Sequence, residues 1–123
     1  MFKVMVVEDE GIIALVLKSR LEKMGFEVPE PISSGQEAIN RFPAMMPDIV
    51  MMDVTLGKGM DGISTAAQLK RERDVPIIFL SAYSDDATLA RAAEIAPVRY
   101  LKKPFADGEL QEALQEAVSR LES

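Results

Sequence analysis

The sequence predicts an α/β protein, a doubly wound parallel sheet with helices on both faces. Three observations carry that prediction. Short apolar runs alternate with segments of helical period along the whole chain. Two of the runs, DIVMMD (48–53) and PIIFL (76–80), are almost continuously apolar, as strands buried on both faces are. The length of 123 residues, with 48% hydrophobic and 28% charged residues, suits one domain with a core of its own.

The expected strands are FKVMVV (2–7), FEVPEPI (26–32), DIVMMD, PIIFL and VRYL (98–101). Between the first two, Ile13, Val16, Leu17, Leu21 and Met24 recur at the spacing of one helix face. Gly25 supplies the stop for that helix, and Ser33 or Ser34 an N-cap for the next. Shorter helices fit 34–42, 62–72 and 85–95, and Leu110, Ala113, Leu114, Ala117, Val118 and Leu121 mark the last one. Pro29 and Pro31 lack N–H groups and, being two apart, leave both gaps on one side, which reads 26–32 as an edge strand. The five strands then take the flavodoxin-like order 2-1-3-4-5. No repeat, low-complexity tract or linker interrupts the chain, so residues 1–123 are expected to form a single domain.

Composition narrows the function. The formal net charge of −6 argues against unaided binding to nucleic acid. The absence of cysteine removes disulfide and thiolate chemistry and fits a cytoplasmic location. The longest apolar stretch, IIALVL (12–17), is too short to span a bilayer, and the acids after Val7 do not suit a signal peptide. With no histidine, the chemistry rests on carboxylates, hydroxyls and lysine.

Those groups collect where an open parallel sheet binds ligands, outside the carboxyl ends of its strands at the switch in strand order. The first strand ends in Glu8 and Asp9, and the third ends in Asp53. Crowded carboxylates repel by roughly 4 kcal/mol per pair at an effective dielectric of about 20, so they call for a cation. Oxygen ligands of high charge suit Mg²⁺. An acidic doublet alone more often serves a helix N-terminus, and Glu10 has that role available; Asp53 is what favours the metal. The fourth strand leads to Ser81 and the fifth to Lys103 and Pro104. Together these make a phosphate cage, with Asp53 as nucleophile, Mg²⁺ neutralising charge, and Ser81 and Lys103 on the phosphoryl oxygens.

With VVEDE, the MMDV strand end, MDG (60–62), LSA (80–82) and KPF (103–105) in this order, the chain resembles a response-regulator receiver domain of two-component signalling. The resemblance implies that Asp53 accepts a phosphoryl group from a histidine kinase or phosphotransfer protein. It implies Mg²⁺ at Glu8, Asp9, Asp53 and the backbone carbonyl of Thr55, a switch pair of Ser81 and Tyr100, and a cis peptide between Lys103 and Pro104. It also implies no enzyme in the ordinary sense, only a domain that promotes its own aspartyl phosphorylation and dephosphorylation. Ser81 vacating its place would let Tyr100 turn inward and alter the face of the fourth helix, fifth strand and fifth helix. The output would be an unknown downstream protein or a fused domain, with no direct nucleic-acid or membrane contact, and a homodimer through that face stays open.

Three positions depart from the usual receiver pattern. Glutamate stands at 8 where aspartate is commoner, and serine at 81 where threonine is. The loop LGKGMDG (56–62) lacks the usual proline and is one residue longer. By analogy with receivers, Thr55 and Tyr83 flank the path of an attacking water, and neither orients water well, which suggests a long-lived phosphoryl group. Met51 and Met52 read as core, whereas Met45 and Met46 are expected in a loop. Two rivals remain: a receiver-like docking module that takes no phosphate, and an aspartate-nucleophile phosphohydrolase of the haloacid dehalogenase type suggested by D-x-T at 53–55. The latter lacks the second acid and a cap insertion.

Overall fold

A computed structural model describes residues 1–57 and 59–123. Four strands, β1 (Val4–Val7), β2 (Ile49–Asp53), β3 (Ile77–Ser81) and β4 (Arg99–Lys102), form one parallel sheet in the order β1-β2-β3-β4. Val7 pairs with Met52, Asp53 with Leu80, and Ser81 with Lys102, so the strands end nearly level. All residues of β1, β2 and β3 are buried, as the continuous apolar runs require of central parallel strands.

Five helices cover the sheet: α1 (Gly11–Lys23), α2 (Gly35–Met45), α3 (Gly62–Glu72), α4 (Asp86–Glu94) and α5 (Asp107–Glu122). The strand period of two divides the core between the faces. Val4, Val6, Met51 and Leu80 pack with Leu17 and Leu21 of α1 and Leu110 and Leu114 of α5. Met5, Val7, Met52 and Phe79 pack on the other side with Phe42 of α2, Leu69 of α3 and Ala92 of α4. Ser34 Oγ accepts from Glu37 N at 3.2 Å to cap α2, and Gly25 takes a φ of 96° after α1.

The expected second strand, 26–32, forms no regular ladder, which leaves four strands where five were expected. Residues 26–32 touch β1 only through two isolated parallel bridges, Lys3 with Glu27 and Val7 with Ile32. Glu27 N donates to Phe2 O at 2.9 Å, so in regular register Pro29 and Pro31 would also face β1, with no hydrogen to offer. A regular ladder would therefore have put both gaps on the paired side rather than the free one. The chain takes one extra residue between the bridges, and Ile32 N reaches Val6 O at 2.9 Å instead.

Two helices also differ from expectation. The buried side of α1 is Ala14, Leu17 and Leu21, whereas Ile13 and Val16 are 40% and 54% exposed. The first turns of α1 are apolar all round, so periodicity alone did not choose the face. Helix α2 continues past Pro43, so Met45 is its last residue and half-buried, and Met46 closes it at φ 50°. In the loop 56–62, Lys58 lies outside the described residues.

Candidate functional site

The parallel strands bring Glu8, Asp9, Asp53, Ser81 and Lys103 to one end of the sheet. Glu8 and Asp9 follow β1, Asp53 and Ser81 close β2 and β3, and Lys103 follows β4. Glu8, Asp9 and Asp53 each offer an oxygen within 4.8 Å of the others. Glu8, Asp53 and Ser81 are buried, while Asp9 lies open to solvent.

Hydrogen bonds hold these groups in place. Lys103 Nζ donates to Glu8 Oε1 at 2.7 Å and to Asp53 Oδ2 at 2.9 Å. Thr55 N donates to Asp53 Oδ1 at 2.9 Å, Gly57 N to Asp9 Oδ2 at 2.9 Å, and Glu10 N to Glu8 Oε2 at 3.3 Å. The Lys103–Pro104 peptide is cis, and Lys103 N donates to Ser81 O at 2.7 Å, continuing the pairing of β3 with β4. Thus Lys103 lies against the two buried acids, and Asp9 keeps its outer side to solvent.

One ammonium against three carboxylates leaves the site strongly acidic. Burial, followed by the neighbouring Asp53, holds the Glu8 carboxyl above the usual glutamate range, with Lys103 pulling the other way. Burial works against the Lys103 charge, but Glu8 and Asp53 outweigh it and hold the ammonium above the usual lysine range. A buried cluster whose own lysine leaves it acidic has capacity for a further cation. All its donors are hard oxygens, a set that fits Mg²⁺ and would not suit a soft metal.

Beyond Ser81 the geometry joins two groups that the sequence left apart. Tyr83 N donates to Ser81 Oγ at 2.9 Å, and the carbonyl of the same residue accepts from the Tyr100 hydroxyl at 2.8 Å. Tyr100 is half-buried, its ring centroid 6.3 Å from that of Phe79. The backbone groups of Gly57 and Tyr83 escaped sequence reasoning because a peptide N–H or C=O has no signature in residue type. The glycine of MDG was visible as a motif, but not its neighbour in space.

Comparison with known proteins agrees with this architecture. The family model of the response regulator receiver domain matches residues 4–115. A probable transcriptional regulator ycf27 from Guillardia theta is 36% identical over 118 residues, covering 96% of this chain and 46% of the relative. The transcriptional regulatory protein PdtaR of Mycobacterium tuberculosis is also 36% identical over 118 residues, 96% of this chain and 57% of its own. The chain therefore spans about half the length of the curated relatives it matches. Among solved structures, the signal receiver domain of a modulated diguanylate cyclase from Desulfovibrio desulfuricans G20 superposes with a TM-score of 0.91 at 34% identity, covering 100% of this chain and 99% of that one. A CheY-like receiver domain protein from Methanospirillum hungatei JF-1 reaches 0.92 at 20% identity, over 99% and 97% of the two chains, a likeness of fold alone. With the family model matched over nearly its whole length, this chain belongs to the receiver domains of response regulators.

Proposed function

We propose that the chain is a phosphorylation-dependent signalling switch, a single receiver domain over residues 1–123, with Asp53 as its phosphoacceptor. The observation that carries this reading is the meeting of Asp53, Glu8, Asp9 and Lys103 at the strand ends. The family match supports the class, and this chain's own side chains support the roles.

Glu8, Asp9, Asp53 and the Thr55 carbonyl would hold Mg²⁺, which when bound supplies charge neutralisation at the phosphoryl oxygens. Asp53 is already oriented for attack by Thr55 N–H on one oxygen and Lys103 on the other. A carboxylate oxygen of Asp53 forms the new bond to phosphorus. The bond from phosphorus to the donor nitrogen breaks, and its electron pair leaves with the donor imidazole. Lys103 then turns from Asp53 to a phosphoryl oxygen, and the Ser81 hydroxyl turns to another. That movement takes Ser81 Oγ from Tyr83 N–H, whose own carbonyl holds Tyr100. The change thus reaches the face of α4, β4 and α5 by a population shift driven by phosphate contacts.

A protein donor suits the surroundings. Ile12, Ile13, Val16, Pro104 and Phe105 line an apolar groove of about 450 Å³ that Lys103 borders. A histidine kinase or phosphotransfer protein seated there brings its phosphohistidine to Asp53. The output is a downstream protein or a fused domain, in keeping with relatives about twice as long.

Intact mass after incubation with a small acyl phosphate, with and without Mg²⁺, tests the reading. One phosphoryl group is expected on wild type with Mg²⁺, and none on Asp53→Asn. An unlabelled wild type beside a labelled control receiver would replace this reading with that of a docking module. Exposed Tyr83 and Thr55 at the mouth offer no carboxylate or amide to orient water, so the phosphoryl group should be long-lived. Slower decay in Tyr83→Ala than in wild type would contradict that.

A further inference from the structure

Helix α3 begins on the peptide of Asp53 itself. Gly62, its first residue, is buried, and its N–H donates to Val54 O at 2.9 Å. A Cβ at Gly62 would stand 1.9 Å from the Asp53 carbonyl oxygen, 2.8 Å from its carbon and 3.0 Å from Met52 Cγ, where ordinary contact begins at 3.4 Å. The obstacle is backbone in a strand paired on both edges, with Val54 N further tied to Leu80 O at 2.9 Å. Strand β2 therefore cannot slide aside within the sheet. Any side chain at 62 would lift α3 or distort the peptides between Asp53 and Thr55. Those peptides carry the N–H that orients the Asp53 carboxylate.

We propose that Gly62 is a positioning residue for the acceptor site: it seats α3 on the Asp53 carbonyl and thereby fixes the backbone from Asp53 to Thr55. The naming of Mg²⁺ and phosphate as what that backbone serves rests on the function proposed above. A second glycine provides the contrast. A Cβ at Gly35 would meet Thr65 Oγ1 at 2.2 Å, so it too would crowd α3, but against a side chain of that helix rather than the Asp53 peptide.

The experiment compares wild type, Gly62→Ala, Gly35→Ala and Asp61→Ala below their melting temperatures. Mg²⁺ affinity is read by calorimetry, the Thr55 amide resonance in metal-free protein by NMR, and labelling by an acyl phosphate alongside. Gly62→Ala is expected to weaken Mg²⁺ binding by about 10- to 100-fold, the range seen when a group that orients a metal ligand is removed, and to shift Thr55. Gly35→Ala should lower the melting temperature yet bind Mg²⁺ as wild type does. Folded Gly62→Ala with wild-type affinity, or Gly35→Ala with an equal loss, would overturn the proposal. If Gly62→Ala does not fold, Asp61→Ala decides: the loosened first turn must weaken Mg²⁺ binding and shift Thr55, and no change overturns it. A wild type that neither binds Mg²⁺ nor is labelled would remove the phosphoacceptor reading, while the Thr55 resonance would still decide the positioning role.

Discussion

Helices α3 and α4 follow successive strands and cover the same face of the sheet, yet they are held in opposite ways. Helix α3 buries Gly62, Ile63, Thr65, Ala66 and Leu69, whereas α4 buries only Ala92. Beyond Ala92 and the flanking Ile95, what ties α4 down includes polar contacts from α3. Arg91 pairs with Asp61 at 2.9 Å, and Lys70 Nζ donates to Ile95 O at 2.9 Å. Apolar burial resists displacement because every exposed methylene costs about 0.8 kcal/mol, whereas an exposed ion pair is exchanged cheaply for water. The helix seated against Asp53 is thus expected to be the firmer of the two, and the helix beside Tyr100 the more readily displaced. Under the function proposed above, that division would supply a fixed acceptor and a surface that responds.

The largest expected effect tests the difference in burial. Leu69→Ala on α3 should cost about 2–5 kcal/mol in urea unfolding, and Leu89→Ala, 36% exposed on α4, about 0.5 kcal/mol or less. Equal losses would break the comparison. Hydrogen exchange sharpens it without substitution, since α4 amides should open at lower free energy than those of α3.

The cap of α3 comes next. Asp61 Oδ1 accepts from Ser64 N at 2.8 Å, so Asp61→Ala should cost about 1 kcal/mol in thermal melts. Asp61→Asn keeps a cap but loses the Arg91 charge pair, a change within about 1 kcal/mol for so exposed a pair. Burial opposes the Asp61 charge, but the Ser64 N–H and Arg91 outweigh it and hold this carboxyl below the usual aspartate range. Its contribution is therefore present above the ordinary value of 3.8 and lost as the pH falls through the depressed one. The melting difference between wild type and Asp61→Asn should close in that acid window, and a constant gap would mean the ion pair contributes nothing.

The smallest effect lies at the end of α4. Ala96 takes a φ of 54°, a left-handed conformation that suits glycine better by about 1 kcal/mol. Ala96→Gly should thus stabilise slightly, by less than that figure because glycine also loses more chain entropy on folding. A lower melting temperature in that variant would show that the turn is not strained.

Much of this protein was legible from pattern. Continuous apolar runs marked β2 and β3, helical spacing marked α5, and the positions of Glu8, Asp9, Asp53, Ser81 and Lys103 just after apolar runs marked them as strand-end residues. The periods of strand and helix are local, and a parallel sheet puts its strand ends together whatever the loops do. Where the local pattern was ambiguous, pattern misled. Helix α1 is apolar on too many sides to declare its buried face. Residues 26–32 carried enough apolar residues for a strand, but in a regular ladder the hydrogen-bond phase set at Glu27 would have turned both prolines toward β1.

The sequence by itself determined the succession of the helices and the four strands along the chain, the acidic strand ends and the family, because these depend on residue type and spacing along one chain. Only the tertiary structure decided that Lys103 bonds both Glu8 and Asp53, that Tyr83 joins Ser81 to Tyr100 through its backbone, and that Gly62 leaves room for the Asp53 carbonyl. Each of those is a contact between residues far apart along the chain or brought together by a turn. In the last two, one partner acts through its peptide or through having no side chain. Residue identity carries no mark of such a role until the chain has folded and brought the two together.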